Sequence, residues 1–252
     1  MQKVVAVDIG NSSLKVAVCS NETVTRIDSN LSDEQLAAGL ATAVAELGQP
    51  VRWLVCSVDR QQTSRLKAWV ARHRSDDVFD VIAADDIDLE SAVTDREALG
   101  RDRLLGAWYG STRSAKGKNT IVIDGGTAVT IDVVVAKQGH IGGLIFPSAN
   151  SSLAALAANT DALPDLSKAS PPELNPQVQL GDSTEPAILL GMHQLQRFGL
   201  IAMVQALEEQ FADAEVWCCG GAFESGSCSL PDDWQYEHDF LISAIFHLDR
   251  VS

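Results

Sequence analysis

The chain has 252 residues, of which 46% are hydrophobic and 21% are charged, a composition typical of a soluble globular protein. A chain of this length can bury a sizeable core and accommodates one large or two small domains. Its 34 acidic residues outnumber its 19 basic ones, so the formal net charge is -15 at pH 7. Because contacts to nucleic-acid phosphates need clustered lysine and arginine, this balance argues against a nucleic-acid partner.

The cysteines and the apolar segments indicate the compartment. An odd number of cysteines without a C-x-x-C spacing predicts neither a disulfide framework nor a zinc site, and it favours free thiols in a reducing environment. No continuous apolar stretch reaches the roughly 18 residues that a membrane helix needs, and no signal-peptide pattern precedes the first predicted strand. We therefore expect a cytoplasmic protein without a membrane partner. The five cysteines are Cys19, Cys56, Cys218, Cys219 and Cys228.

Strand-like and helical patterns alternate in the first part of the chain. Apolar runs predict strands over residues 4–8, 14–19, 53–58 and 78–83. Apolar residues at helical spacing predict helices over residues 33–47, 62–73 and 102–113. Ser32 followed by Gln35 fits a capping box at the start of the first helix.

The strand pattern restarts after a polar turn at residues 116–119. Strands are predicted over residues 120–124, 127–135, 139–146 and 215–219. Helices are predicted at about 150–158 and over 239–248. A long apolar helix or a helix pair is predicted from 184 to about 211, and a Pro-rich loop separates it from the helix at 150–158. We expect an α/β architecture with two domains, 1–116 and 117–252, that each open with a hairpin.

Two short segments with nearly the same pattern carry the strongest functional signal. Each is a buried strand followed by Asp, one residue, Gly and a short polar residue, beginning at Asp8 and at Asp124. Glycine lets backbone N–H groups approach phosphate oxygens closely. Because an aspartate would repel a phosphate, the pair implies a cation or a shared proton between them. The repetition favours a polyphosphate site in a cleft between two related halves over two unrelated hairpin turns.

Five motifs, in this order and spacing, resemble the type III pantothenate kinases of the acetate and sugar kinase, Hsp70 and actin superfamily. The resemblance implies two related ribonuclease H-like (actin-like ATPase) domains with an active-site cleft between them. It also implies ATP-dependent phosphorylation of pantothenate to 4′-phosphopantothenate, the first step of coenzyme A biosynthesis, by a homodimer. The motifs are Asp8-Ile9-Gly10-Asn11-Ser12, Gly100-Arg101-Asp102-Arg103, Asp124-Gly125-Gly126-Thr127, Gly142-Gly143-Leu144-Ile145-Phe146-Pro147 and Gly181-Asp182-Ser183-Thr184.

The resemblance also implies cofactor contacts for individual residues. Asp124 would hold a monovalent cation, K⁺ or NH₄⁺, and Thr127 would contact ATP. The first turn would bind the ATP phosphates, with Mg²⁺ or its water handled by the aspartate. That turn consists of Asp8, Ile9, Gly10, Asn11, Ser12, Ser13, Leu14 and Lys15.

An acid and a base lie side by side in the second motif. From the residues alone, Asp102 could be a helix N-cap and Arg103 a solvated side chain. The resemblance implies that Asp102 is the general base for the primary hydroxyl of pantothenate, a role in which orientation matters more than basicity. It further implies that Arg103 pairs with the pantothenate carboxylate. The implied substrate contacts are Gly100, Arg101, Asp102, Arg103 and Thr184.

Two other functions remain open from the sequence. Val93 stands where the family usually has tyrosine, which suggests a kinase of the same superfamily for another small alcohol. A non-catalytic regulatory relative would keep the fold as well. Gly220 and Gly221 fit an adenosine-side turn and a plain hairpin turn equally well, and His140, beside Gly139, is interpreted as a turn residue.

Overall fold

The computed structural model describes residues 3–18, 24–28, 30–48, 50–223 and 230–251. Cys19 and Cys228 lie outside these ranges, so their predicted free thiols stay predictions. The chain divides into two compact units. The first unit is Met1–Tyr109 with Asp239–Ser252, and the second is Gly110–His238.

Each unit contains a five-stranded sheet. The strands of the first unit are β1 (Lys3–Ile9), β2 (Ser13–Val18), β3 (Val24–Asp28), β4 (Val51–Ser57) and β5 (Val78–Val81). The strands of the second unit are β6 (Asn119–Gly125), β7 (Ala128–Val135), β8 (Gly139–Pro147), β9 (Ala214–Cys219) and β10 (Gln235–Tyr236).

Helices connect and cover the strands. They are α1 (Asp33–Ala43), α2 (Arg60–His73), α3 (Arg101–Arg113), α4 (Ala149–Ala158), α5 (Thr184–Gln210) and α6 (Phe240–Val251). The predicted capping box begins α1, where Gln35 donates its backbone N–H to Ser32 Oγ and accepts the N–H of Ser32. Short 3₁₀ helices lie at Ala84–Asp86 and Gly221–Phe223.

The two sheets have the same topology. Their strand orders are β3-β2-β1-β4-β5 and β8-β7-β6-β9-β10. In both sheets the first strand of the unit is antiparallel to the second and parallel to the fourth. This shared order is that of a ribonuclease H-like fold, so the fold class that the resemblance implied is confirmed.

The burial of each strand explains whether it could be predicted from the sequence. In β1 the six residues from Val4 to Ile9 are all buried, as expected for a central strand covered on both faces. The structure adds β3 and β10, which the sequence did not predict. In β3 Ile27 is buried and its four neighbours are not, and both residues of β10 are exposed, so neither strand carries a recognisable apolar pattern.

The last helix belongs to the first unit. α6 packs on β1 and β4, and its Phe240 ring lies edge-on to Tyr109 of α3 with ring centroids 4.8 Å apart. His247 of α6 contacts the ring of Trp108 with a centroid separation of 5.4 Å. The compact units therefore differ from the predicted ranges of 1–116 and 117–252, because an apolar face in a sequence does not reveal which sheet it will cover.

α5 is the longest helix among the described residues. By length and composition alone it could cross a membrane, since its most apolar 18 residues have a mean hydropathy of 1.3. Helices in soluble cores pass the same test, and α5 packs on the sheet of its unit through Leu200 and Val204. Much of its remaining apolar surface is uncovered, and Leu195 is 70% exposed.

A buried carboxylate ties β4 to the loop before β5. Asp77 accepts hydrogen bonds from Val51 N (3.0 Å), Trp53 Nε1 (2.9 Å) and Arg74 Nε (2.5 Å). Burial raises the pKa of Asp77, but the hydrogen bonds from Arg74, Trp53 and Val51 outweigh it, so the pKa lies below the ordinary 3.8. The ionised carboxylate is thus the form that stabilises the first unit.

Replacing Asp77 by Asn should destabilise the protein because Arg74 is then left buried without a counter-charge. We expect the free energy of unfolding at pH 7 to fall by about 3–5 kcal/mol, measured by urea denaturation. A carboxyl group whose pKa is lowered by folding stabilises the folded state at pH values above its pKa in the unfolded chain. The difference in unfolding free energy between wild type and the variant should therefore shrink as the pH falls through 3.8 and below. The exposed neighbour Asp76→Asn is the control, and equal stability of the two variants would contradict the interpretation.

Candidate active site

The first Asp–Gly turn joins β1 to β2. Gly10 N donates a hydrogen bond to Ser13 O at 3.0 Å, which closes the turn. Asn11 and Ser12 at its tip are exposed, so their polar groups can reach a ligand. The predicted phosphate-binding residues Ile9 and Leu14 are 1% exposed and contribute to the core, so only their backbone groups are available.

Asp8 and Lys15 face each other across this hairpin. They are paired in the register of β1 and β2, and Lys15 Nζ lies 3.6 Å from Asp8 Oδ2. Asp8 is only 6% exposed, so its charge is balanced within the protein by the lysine. The pair places one anion and one cation beside the turn that the sequence assigns to phosphates and their metal ion.

β4 brings a thiol next to Asp8. In the parallel register Cys56 lies beside Asp8, and Val58 N donates to Ile9 O at 3.1 Å just beyond. Burial, then the charges of Asp8 and Asp102, raise the pKa of the Cys56 thiol well above 9.0, while Arg101 lowers it. Two carboxylates from distant motifs therefore lie within electrostatic range of one buried thiol, together with one guanidinium.

Asp102 lies in the first turn of α3, not at its N-cap position. Leu104 N donates to Gly100 O at 3.0 Å, and Asp102 Oδ1 accepts the N–H of Arg103 at 2.7 Å. A Cβ on Gly100 would lie 2.5 Å from Asp102 Oδ1, so the glycine leaves room for the carboxylate. The positive end of the helix dipole stabilises a negative charge at this position.

The neighbouring arginines differ in their surroundings. The guanidinium of Arg101 donates to Glu97 Oε2 (2.6 Å), to Leu99 O (3.3 Å) and to carbonyls of the same loop, and so holds that loop against α3. Its predicted pantothenate contact stays a prediction. Arg103 is partly buried two positions further along α3. Val93 is partly buried in the segment before α3.

The second Asp–Gly turn joins β6 to β7. Gly126 N donates to Ala128 O at 2.9 Å, and the carbonyl of Thr127 accepts Ser151 Oγ (2.6 Å) and Ser148 N (3.3 Å) from the start of α4. Thr127 is exposed, and Asp124 is partly buried at the end of β6. The turn is thus held by its own strands and by α4, and Thr127 at its tip is exposed.

The turn after β9 lies against Asp124. Gly220 has φ +92°, and a Cβ there would approach Asp124 Oδ1 to 2.5 Å. Because β10 pairs with β9 in parallel, Gly220 and Gly221 do not form a hairpin turn between these strands. The adenosine-side role that the resemblance implies for them stays a prediction.

Thr184 is the first residue of α5 and is exposed. Just before it, Gly181 lies so close to the backbone N of Ala187 that any side chain would overlap with the helix. Thr184 therefore has a defined place at the start of a long helix in the second unit.

The interpretation of His140 as a turn residue is wrong. His140 lies in β8, is fully buried, and its Nε2 is 2.7 Å from Asp132 Oδ1 on the neighbouring strand β7. Neither residue shows a metal-ligand spacing in the sequence, and only the register of the two strands brings them together. Cys56 was missed as a site residue for the same reason, although its position at the end of an apolar run matches that of Asp8.

The donor set fits a magnesium ion bound together with substrate phosphates. Within the described ranges, no group of three or more His, Cys, Asp or Glu side chains could hold a metal ion. Mg²⁺ in kinases commonly takes one or two carboxylates, several waters and the substrate phosphates, and Asp8 offers one such carboxylate.

Two ribonuclease H-like units, each with an Asp–Gly turn after its first strand, define a member of the actin-like ATPase and sugar kinase superfamily. The sequence profile of the family described as type III pantothenate kinase matches residues 4–209. The chain belongs to this family.

Individual relatives agree with this assignment. A type III pantothenate kinase from Desulfovibrio desulfuricans is 31% identical over 213 residues, which cover 81% of this chain and 78% of the relative. Another from Chlorobaculum parvum is 32% identical over 264 aligned residues, which cover 98% of this chain and 89% of the relative. The chain is therefore a phosphotransferase that phosphorylates pantothenate with ATP and a divalent cation, the first step of coenzyme A biosynthesis.

Solved structures are similar at the level of the fold. A protein of Campylobacter jejuni described as a conserved Baf family transcriptional activator has a TM-score of 0.59 at 16% identity, and the match covers 98% of each chain. An ethanolamine utilization protein from Carboxydothermus hydrogenoformans has a TM-score of 0.52 at 12% identity, covering 97% of this chain and 88% of the other. At such identities the likeness shows the fold alone, and the regulatory and other-alcohol alternatives gain no support.

Proposed function

We propose that Asp102 is the general base of pantothenate phosphorylation and that the turn from Asp8 to Lys15 holds the ATP phosphates and Mg²⁺. The observation that carries this proposal is the register that places Asp8 beside Cys56, a thiol whose pKa is raised by burial and by the charges of both Asp8 and Asp102. A base and a metal-binding carboxylate must lie near the same transferring phosphoryl group, and these two belong to motifs far apart in the chain.

Asp102 acts by orienting the primary hydroxyl of pantothenate. In a loose phosphoryl-transfer transition state the hydroxyl proton leaves late, so a weak base suffices if it is well placed. The contact with Arg103 N and the space left by Gly100 hold the carboxylate in one orientation. Arg103 pairs with the carboxylate of pantothenate, and Gly100, Arg101 and Thr184 complete the predicted substrate contacts.

In the first turn, Asp8 would hold Mg²⁺, and the exposed residues Asn11 and Ser12 at the tip would face the phosphates. When bound, Mg²⁺ neutralises charge that develops on the phosphate oxygens. Lys15 supplies a positive charge 3.6 Å from Asp8 Oδ2, which keeps the turn attractive to an anion inside a protein of net charge -15.

In the second turn, Asp124 binds K⁺ or NH₄⁺ and Thr127 contacts ATP. The close approach of Gly220 to Asp124 Oδ1 supports this proposal, because it confines the carboxylate to a small range of positions. A monovalent cation there compensates the carboxylate next to a bound polyphosphate.

The enzyme acts as a homodimer in the cytoplasm. The uncovered apolar surface of α5, including Leu195, supports an interface on this helix. In the described part of the chain, Cys56, Cys218 and Cys219 are buried and not disulfide-bonded, which suits a reducing compartment.

Replacing Asp102 by Asn keeps the size of the side chain and removes its ability to accept the proton. We expect kcat to fall by about 10² or more, measured by coupled ADP release, while the melting temperature stays close to that of wild type. The control is Asp88→Asn, which changes an exposed carboxylate and should leave kcat unchanged. Near wild-type turnover in Asp102→Asn would refute the assignment.

If Asp124 binds a monovalent cation, activity should depend on K⁺ or NH₄⁺. Asp124→Ala should abolish that dependence together with most of the activity, whereas Asp161→Ala, at an exposed position of the same unit, should keep both. The measurement is the initial rate as a function of K⁺ at constant ionic strength, with Na⁺ as the replacement. Equal wild-type rates in Na⁺ and K⁺ would count against this site.

Sedimentation velocity at micromolar concentration should show a dimer. Leu195→Glu places a charge on the apolar face of α5 and should shift the protein to monomer, because burying an unpaired charge is costly. The control is Val251→Glu, which changes an exposed apolar residue of the first unit and should leave the protein dimeric. A wild-type protein that sediments only as a monomer would contradict the proposed interface.

A further inference from the structure

The segment before α5 is irregular yet firmly attached to that helix. It contains Pro171, Pro172 and Pro176, which exclude regular helix or central strand. It also leads directly into Thr184, the predicted pantothenate contact. The contacts that hold this segment in place therefore influence the position of Thr184.

One side chain of α5 forms hydrogen bonds with both the backbone N–H and the backbone carbonyl of a residue in this segment. Gln194 is 6% exposed, and its Oε1 accepts the backbone N–H of Gln179 at 2.6 Å while its Nε2 donates to the carbonyl of Gln179 at 2.9 Å. Nε2 also donates to Leu190 O at 3.0 Å. Both backbone groups of one loop residue are thus satisfied by a single buried amide.

A buried arginine makes a second attachment one turn further along α5. Arg197 is 8% exposed, and its Nη1 donates to Asn175 O at 2.7 Å. Its Nε is buried without a hydrogen-bond partner, and no carboxylate of the described part of the chain forms an ion pair with it. The guanidinium also lies 5.6 Å from the centroid of the Phe198 ring. Burying a cation against neutral partners is costly, so packing alone does not account for this residue.

The attached loop is closed on itself. The side chain of Gln179 accepts the N–H of Asn175 at 2.8 Å and donates to Glu173 O at 3.3 Å. Downstream, Gly181 lies against the first turn of α5. The first turn itself has no side-chain cap, since Ser183 at the N-cap makes no such hydrogen bond. Helix starts without a cap fray, so the position of Thr184 depends on the loop before it.

We propose that Gln194 and Arg197 form a clip, named here the Gln194–Arg197 clip, whose function is to position Thr184 for pantothenate. The clip holds Gln179 and Asn175, and the closed loop between them transmits that restraint to the start of α5. The two side chains are positioning residues, because they touch the loop and not the substrate. This inference rests on the proposed contact of Thr184 with pantothenate.

The test is a steady-state comparison of Gln194→Met and Arg197→Met with wild type. Each substitution removes the hydrogen bonds and keeps a long side chain. We expect KM for pantothenate to rise about tenfold, with kcat and KM for ATP changed less than about threefold. Gln205→Met, the same change at an exposed position of α5, is the matched control. A lower melting temperature with unchanged KM for pantothenate would overturn the proposal, since a purely structural role predicts that result.

A double-mutant cycle with Thr184→Val separates this inference from the contact on which it rests. If Thr184 binds pantothenate and the clip acts through it, Thr184→Val raises KM and Gln194→Met adds little in that background. Full additivity would overturn the clip while leaving the Thr184 contact in place. An unchanged KM in Thr184→Val would refute the contact and the clip together. If Gln194→Met does not fold, the same cycle is measured with Arg197→Met, which removes one hydrogen bond.

Discussion

The parallel pairing of β1 with β4 is the constraint on which the first site depends. Its register places Cys56 beside Asp8, and just beyond β4 Val58 N donates a hydrogen bond to Ile9 O at the base of the first Asp–Gly turn. A slip of one residue would direct Asp8 to the opposite face of the sheet. The buried carboxylate of Asp77 holds the start of β4 through Val51 and Trp53 and so opposes such a slip.

In the second unit, too, a parallel pair of strands sets the surroundings of the aspartate. β6 and β9 are parallel in the register that sets Asp124 beside Cys219, and the following Gly220 closes on the carboxylate. In both units the neighbouring strand places a cysteine beside the aspartate. The repeated topology thus provides two similar turns, and in the second one the backbone at Gly220 also limits the room of Asp124.

Charge is distributed so that an acidic protein can hold anionic substrates. Lys15 balances Asp8 in the first turn, whereas Arg101 is engaged by Glu97 and loop carbonyls. Neighbouring basic residues in one motif therefore differ in their surroundings, since Arg101 stabilises the loop before α3 and Arg103 is the proposed counter-charge for the substrate. On α5, buried polar side chains hold a loop, and the uncovered apolar surface is the proposed interface.

Most strands and helices, the two Asp–Gly turns and the family could be predicted from the amino-acid sequence. These features depend on residues that are neighbours in the chain, because apolar periodicity and turn chemistry are local. Three features could not be predicted in this way: α6 returns to the first unit, His140 pairs with Asp132, and Cys56 lies near Asp8 and Asp102. Such contacts depend on strand register and on which apolar faces meet, and both are set by packing between residues far apart in the chain.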